Sequence, residues 1–144
     1  MRKTLTFFCA MFLIASTVVF AETLPNEDAA KNLVNKVMTK VAAGDLDAAF
    51  KTMKPYLSFS LTEIDSIALQ SKSSREQNRQ RYGVSIGYEF IDLKKVGDSL
   101  LRLRYIEKTK KNALLWTFYF YKTKEEWILN SFYWNEDYKP IFNE

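Results

Sequence analysis

The first half of the chain repeats apolar residues at helical spacing. Within residues 27–43 they fall on one face, which is typical of an amphipathic helix, and they are Ala30, Leu33, Val34, Val37 and Val41. Asn26 precedes this stretch as a candidate N-cap, and Gly44 follows it as a stop. The pattern therefore predicts a first helix over residues 27–43.

Two more helices follow. Asp45 can cap a shorter helix that ends at Pro55, because proline disrupts a helix interior. Ser60 and Glu63 have the spacing of a capping box and predict the start of a third helix. Its apolar face disappears over residues 70–81, which contain no apolar residue. That stretch is either a solvated helix end or loop, or a surface that contacts an anion through Lys72, Arg75, Arg79 and Arg81.

From Tyr82 onward the apolar period changes to two, which indicates strands. The predicted strands cover residues 82–90 and about 99–108, 113–122 and 127–135. Their connections are short and charged, so successive strands should pair as antiparallel neighbours. The predicted fold class is α+β, with three N-terminal helices packed on a curved four-stranded antiparallel meander sheet.

Symmetric turns would fix the register of this sheet. Lys108 would face Ala113, Lys122 would face Trp127, and Asp92 would face Ser99. The helix-facing pairs predicted from these turns are Phe90–Leu101, Tyr88–Leu103, Ile86–Tyr105, Leu101–Phe120, Leu103–Phe118, Tyr105–Trp116, Phe120–Leu129, Phe118–Ser131 and Trp116–Tyr133.

The helix-facing side of this predicted sheet is rich in aromatic residues and offers no carboxylate from any strand. Two interpretations are open: a filled core, or a pocket for a small apolar ligand. The residues that would line such a pocket are Tyr88, Tyr105, Trp116 and Tyr133.

The opposite, outer side of the sheet also carries aromatic residues and arginines. The predicted register places Glu89, Arg102, Tyr119 and Asn130 in one cross-strand row, near Arg104, Tyr121, Phe132 and Trp134. These side chains either keep the outer side soluble and the register fixed, or form an interface. Because Tyr, Trp, Phe and Arg are enriched at protein interfaces, we expect a homodimer or a complex with another envelope protein.

The N-terminus has the three parts of a secretory signal peptide. Arg2 and Lys3 precede an apolar run, and the small residues Val19 and Ala21 stand before Glu22. The alternative, an uncleaved membrane anchor, is disfavoured because the apolar run is short for a span. We expect a signal peptide at residues 1–21, a single domain at 22–144, and a bacterial periplasmic or secreted location without stable membrane insertion.

Composition narrows the possible functions. Among the 144 residues there is no histidine and one cysteine, Cys9, which lies within the predicted signal peptide. Histidine-dependent catalysis and His-containing metal sites are therefore excluded, as is an intramolecular disulfide. Loss of Arg2 and Lys3 lowers the formal net charge from +4 to +2, which does not favour nucleic acid as a partner. No phosphate-binding glycine motif or calcium loop occurs, so no cofactor or metal is predicted.

Two segments carry a family resemblance. The helix junction from Gly44 to Ala49 and the last strand, Glu126 to Leu129, resemble the nuclear transport factor two-like superfamily, specifically its small exported bacterial members. The likeness covers about residues 27–136. It implies a cystatin-like α+β cone with a pocket between helices and sheet, and frequent dimerisation through the outer side of the sheet.

The same resemblance implies an acidic base or a His-Asp pair inside the cone of those members that are enzymes. This chain has no histidine, and the carboxylates nearest in sequence are Asp45, Asp47, Glu63 and Asp65. Asp45 and Glu63 are better explained as helix caps. We therefore expect a non-catalytic binding or interaction module, with a small apolar-ligand carrier as the alternative and an isomerase-like enzyme as the less favoured one.

Overall fold

The computed structural model describes residues 20–143. Most of the predicted signal peptide, including Cys9, lies outside the described residues. The elements in chain order are α1 (Glu27–Ala42), α2 (Leu46–Met53), a 3-10 turn (Lys54–Tyr56), α3 (Leu61–Tyr82), β1 (Ser85–Val96), β2 (Leu100–Thr109), β3 (Ala113–Lys122), β4 (Trp127–Asn135) and a 3-10 turn (Lys139–Asn143). The α+β class and the order of helices before strands are confirmed.

The three predicted helix starts are present as hydrogen-bonded caps. Asn26 Oδ1 accepts from the N–H of Ala29 at 2.8 Å, and Asp45 Oδ1 accepts from Ala48 at 2.9 Å. Ser60 and Glu63 form the complete capping box. Such caps satisfy N–H groups that the first turn of a helix leaves without partners.

Helix α3 continues without a break through residues 70–81, so the loop interpretation of this stretch is wrong. Its Arg, Gln, Glu and Lys residues have good intrinsic helix propensity. Positions separated by three or four residues share one helix face, and the face toward the sheet carries Ile64, Ala68, Ser71, Arg75, Asn78 and Tyr82. The stripe that contacts the sheet thus persists while its chemistry changes from apolar to polar.

The four strands form one antiparallel sheet in the order β1-β2-β3-β4. The predicted β2–β3 register is confirmed throughout, including Tyr105 opposite Trp116. Between β3 and β4 the prediction holds from Lys122–Trp127 to Phe120–Leu129.

A bulge at Asn130 then shifts the rest of β4 by one residue. Phe118 faces Phe132, and Trp116 faces Trp134. The predicted pairs with Ser131 and Tyr133 are therefore wrong, because an extra residue in one strand moves every later side chain to the other side of the sheet.

The predicted β1–β2 register is wrong along its length. Strand β1 extends to Val96, and the turn lies at residues 97–99, where Gly97 adopts a positive φ of 57°. As a result Phe90 faces Tyr105, Tyr88 faces Glu107 and Glu89 faces Ile106. Two bulges, near Ile86 and Ile91, add to the shift.

The core lies between helices α1 and α2 and the middle of the sheet. Two segments that do not belong to the sheet cover the first half of the β4 edge. Leu24 exchanges backbone hydrogen bonds of 2.8 Å with Trp127, and the N–H of Ser58 donates to the carbonyl of Leu129 at 3.3 Å. Within residues 20–143, no helix combines the length and the apolar character needed to cross a membrane.

Candidate functional site

A buried carboxylate, Glu107, lies on the helix-facing side of β2 beneath α3. Its side chain has no exposed surface (0%). The guanidinium of Arg75 donates to both of its oxygens, at 2.5 and 2.6 Å, and the indole N–H of Trp116 donates at 2.9 Å. Both oxygens of Glu107 are therefore held by donors of the protein itself.

Glu107 is not among the predicted site residues, and the expectation that no strand supplies a carboxylate to this side is wrong. The signal was present, because Glu107 stands two residues after Tyr105 and alternate residues of a strand share a side. Its partner Arg75 also contacts the ring of Trp134, with its guanidinium carbon 5.7 Å from the ring centroid.

The four residues predicted to contact an anion each face a carboxylate of this chain. Besides Arg75 with Glu107, the ion pairs are Lys72–Asp47 at 2.6 Å, Arg79–Glu76 at 2.8 Å and Arg81–Glu136 at 3.0 Å. Arg75 is the inward-facing member of the set, and the other three pairs are largely exposed. Contact with an external anion stays a prediction.

Asn78 is the unusual polar residue on the inner stripe of α3. It is 8% exposed, and its amide makes no side-chain hydrogen bond to another described residue. Its amide atoms are not among the buried side-chain atoms that lack a partner, so solvent reaches them and the amide can bond to an external donor or acceptor.

Asn78 lies between two cavities, one on each side of α3. We call the first the cleft. It has a volume of about 310 Å³ and lies between the start of α2, the second half of α3 and the adjoining ends of β1, β2 and β3. Its lining includes Asp45, Asp47, Lys72, Arg75, Glu76, Asn78, Arg79, Ser85, Thr109 and Leu114.

We call the second cavity the groove. It has a volume of about 570 Å³ and lies between α3 and the second half of β4. The α3 wall is Ile67, Gln70, Ser71, Ser74, Gln77, Asn78 and Arg81, and the β4 wall is the consecutive run Phe132, Tyr133, Trp134, Asn135 and Glu136.

The predicted tyrosine pocket is filled by its own side chains. Tyr105 and Trp116 are fully buried, and the Tyr105 hydroxyl donates to Asn35 on α1 at 2.8 Å. Burial, with a smaller effect of Tyr88, raises the pKa of Tyr105 far above its usual range. Tyr88 contacts the Thr39 hydroxyl at 3.1 Å. These residues line neither the cleft nor the groove, so the filled-core interpretation fits them.

The prediction that Tyr133 lies on the helix-facing side of the sheet is wrong. Because of the Asn130 bulge, Tyr133 lies on the outer side, where it is 45% exposed. Its ring centroid there is 6.1 Å from that of Tyr119. The same shift moves Phe132 and Trp134 from the predicted outer side to the helix-facing side. Trp134 there stacks on Trp116 at 5.9 Å.

Of the predicted outer row, the pair of Arg102 and Tyr119 forms, whereas Glu89 and Asn130 do not join it. Arg102 faces Lys94, Glu89 pairs instead with Lys108 at 2.9 Å, and Asn130 is the exposed bulge residue. Tyr121 is on the outer side and 41% exposed. A partner at this surface stays a prediction.

The outer side has a different ion pair at its centre, between Asp92 and Arg104. The hydrogen bonds from Arg104 are the main cause that lowers the pKa of Asp92, against an opposing effect of burial. Charges on Arg104, Arg102 and Lys94 add to the lowering.

Comparison of the chain with models of protein families, with curated proteins and with solved structures gives no match. Over residues 20–143, no group of three or more His, Cys, Asp or Glu side chains is placed to hold a metal ion.

Proposed function

We propose that this protein is a non-catalytic binding module and that the cleft beneath the polar half of α3 holds a small polar ligand. The observation that carries the proposal is Asn78, a largely buried residue whose amide borders the cleft and makes no hydrogen bond to another described residue. Ligand sites combine concave shape with a few convergent polar groups. An amide, which both donates and accepts, is suited to orient such a ligand.

The charges around the cleft favour a ligand that carries both signs. Lys72 and Arg79 are exposed cations paired with Asp47 and Glu76. Exposed ion pairs contribute only about 0–1 kcal/mol, so a ligand carboxylate can replace either acidic partner at low cost. The displaced carboxylate is then available to a ligand ammonium group.

The state of Glu107 supports a role without catalysis. A general base must reach the proton that it removes. Glu107 is completely buried, and its oxygens already accept from Arg75 and Trp116. It does not line the cleft.

Thermal unfolding in the presence of free amino acids and dipeptides tests the proposal. We expect at least one of these zwitterions to raise the melting temperature in a saturable way, since a ligand that binds only the native state stabilises it. The Asn78→Ala variant should lose this shift. Asn130→Ala, which removes an exposed amide outside the cleft, is the matched control and should retain it. A shift that persists in Asn78→Ala, or no shift with any member of the panel, would contradict the proposal.

A further inference from the structure

The second half of β4 is an open sheet edge. In an antiparallel sheet, each residue of a central strand directs its N–H and C=O to the same neighbour, and the direction alternates along the strand. Lys122 on β3 donates its N–H to Ser99 at 2.9 Å, on the β2 side. The even-numbered residues of β3 therefore bond toward β2.

This alternation identifies the β4 residues whose backbone groups point away from the sheet. Phe132 and Trp134 face the even-numbered residues Phe118 and Trp116, so their N–H and C=O groups point to the open edge. Trp127 and Leu129 also face even-numbered residues, and they do bond outward, to Leu24 and Ser58. The β4 edge is thus already used for strand pairing up to Leu129.

Beyond Leu129 the described part of the chain supplies no such partner. Over residues 20–143, no backbone hydrogen bond joins Phe132 or Trp134 to a segment outside the sheet. The groove begins at the same point. It is lined by the last four residues of β4 and by Glu136, which follows them, and successive side chains of a strand point to opposite sides. The groove therefore follows the edge of the strand and not one of its sides.

We propose that the groove binds an extended peptide of a partner protein, which adds to the sheet as a strand beside Phe132 and Trp134. Strand addition of this kind gives affinity through main-chain hydrogen bonds and specificity through alternate side chains. This site is separate from the cleft. The intramolecular pairing at Trp127 and Leu129 shows that the same edge accepts a strand.

The position of α3 restricts what can occupy the groove. The helix forms a wall along the open edge, so we expect the groove to take a single extended chain, since the edge of a second sheet would have to displace α3. Five residues of strand span about 16 Å. A peptide of about that length can use both outward-facing residues, Phe132 and Trp134.

The groove walls also set the chemistry of the peptide. The α3 wall is mainly uncharged, and the charged pair Arg81–Glu136 is already satisfied at 3.0 Å. Asn135 adds a buried carbonyl oxygen, Oδ1, without a hydrogen-bond partner. Residues of the peptide that point toward α3 should therefore be uncharged, and a donor should lie near Asn135.

The test uses a cellulose-bound array of random nine-residue peptides, followed by titration of the strongest binder in solution. We expect a peptide to bind. N-methylation of alternate amides of this peptide should weaken its affinity by at least about tenfold, because only alternate N–H groups of the peptide face β4. Hydrogen exchange should slow at Phe132 and Trp134 when the peptide is bound. Charged residues should be depleted at alternate positions of the selected peptides.

Two tryptophan variants locate the site. Ser74→Trp fills the groove from the α3 wall and should weaken binding at least about tenfold, whereas Ser73→Trp, an exposed neighbour outside the groove, should leave it unchanged. If Ser74→Trp does not fold, Gln77→Trp tests the same wall one turn later. Neither Ser74 nor Gln77 lines the cleft, so binding of zwitterions there should persist.

Four outcomes would overturn the proposal. The array contains no binder, or the affinity does not depend on which amides carry N-methyl groups. The Ser73→Trp and Ser74→Trp variants bind the peptide equally well. In hydrogen exchange, oligosaccharides protect Phe132 and Trp134 whereas peptides do not. The last outcome would assign the groove to a different class of ligand.

Discussion

Helices α1 and α3 both cover the same sheet but are attached to it by different chemistry. The shorter helix, α1, buries six residues, all of them apolar: Ala30, Leu33, Val34, Val37, Met38 and Val41. Helix α3 spans 22 residues and buries only Ile64 and Asn78. Its second half is held by the Arg75–Glu107 pair and by contacts of Arg81 and Tyr82 with Glu136.

The difference explains where the cavities lie. Apolar packing is dense and fills the space between elements, and the side chains that α1 buries are all apolar. A polar contact fixes one distance and one direction, and the space beside it stays open. The cleft and the groove therefore flank the polar part of α3, and we expect this part of the helix to open locally before the rest of the protein unfolds.

We expect the largest loss of stability when a charge is placed under α1. Val37→Asp would bury a carboxylate without a partner at a position with no exposed surface (0%), which costs about 4 kcal/mol or more. Urea denaturation followed by circular dichroism measures this loss. Asn32→Asp, on the exposed side of the same helix, should change stability by less than about 0.5 kcal/mol. A folded Val37→Asp protein of near-native stability would show that α1 is not the apolar anchor.

The comparison also shows which parts of the fold the sequence could predict. The helix starts at Asn26, Asp45 and Ser60 were predictable because a cap is a local hydrogen bond. The β2–β3 register was predictable because a short connection of three residues joins two regular strands. The β1–β2 register was not, since Lys94 and Lys95 look like loop residues although they continue the strand to Val96.

The candidate site was harder to predict than the fold. The bulge at Asn130 changes the side of Phe132, Tyr133 and Trp134, and no turn or glycine marks it in the sequence. The pair of Arg75 with Glu107 joins residues far apart in the chain, so spacing alone cannot reveal it. What spacing did show was that α3 loses its apolar side after Ala68, and both cavities lie in that region.

A smaller loss of stability is expected when the Arg75–Glu107 pair, which holds α3 to the sheet, is broken. Arg75→Met leaves the Glu107 carboxylate buried without its main partner, which should cost about 3–5 kcal/mol. Native-state hydrogen exchange should show the loss first in residues 70–82, with less change in α1. The double variant Arg75→Met/Glu107→Leu should be more stable than the single variant, because it removes the isolated charge together with its partner.

The matched control for Arg75 is Arg79, which lies on the exposed side of α3 and pairs there with Glu76. Arg79→Met should change stability little, because an exposed ion pair contributes weakly. Equal losses for the Arg75 and Arg79 variants would mean that the buried pair does not hold α3 to the sheet.

The smallest change in stability is expected at the last turn of α3, where it should depend on pH. The Tyr82 hydroxyl donates to Glu136 at 2.5 Å, and this hydrogen bond is the main cause that raises the pKa of Tyr82. Because the folded-state pKa lies above the ordinary tyrosine value of about 10, the contact contributes fully to stability below that pH. Its contribution is lost as the pH rises through the folded-state pKa.

Urea denaturation followed by tryptophan fluorescence measures this loss. The midpoint should fall more steeply above pH 10 in the native protein than in Tyr82→Phe. Tyr138→Phe, whose hydroxyl makes no hydrogen bond to another described residue, should keep the native slope, and identical slopes in all three proteins would show that this contact does not stabilise the end of α3.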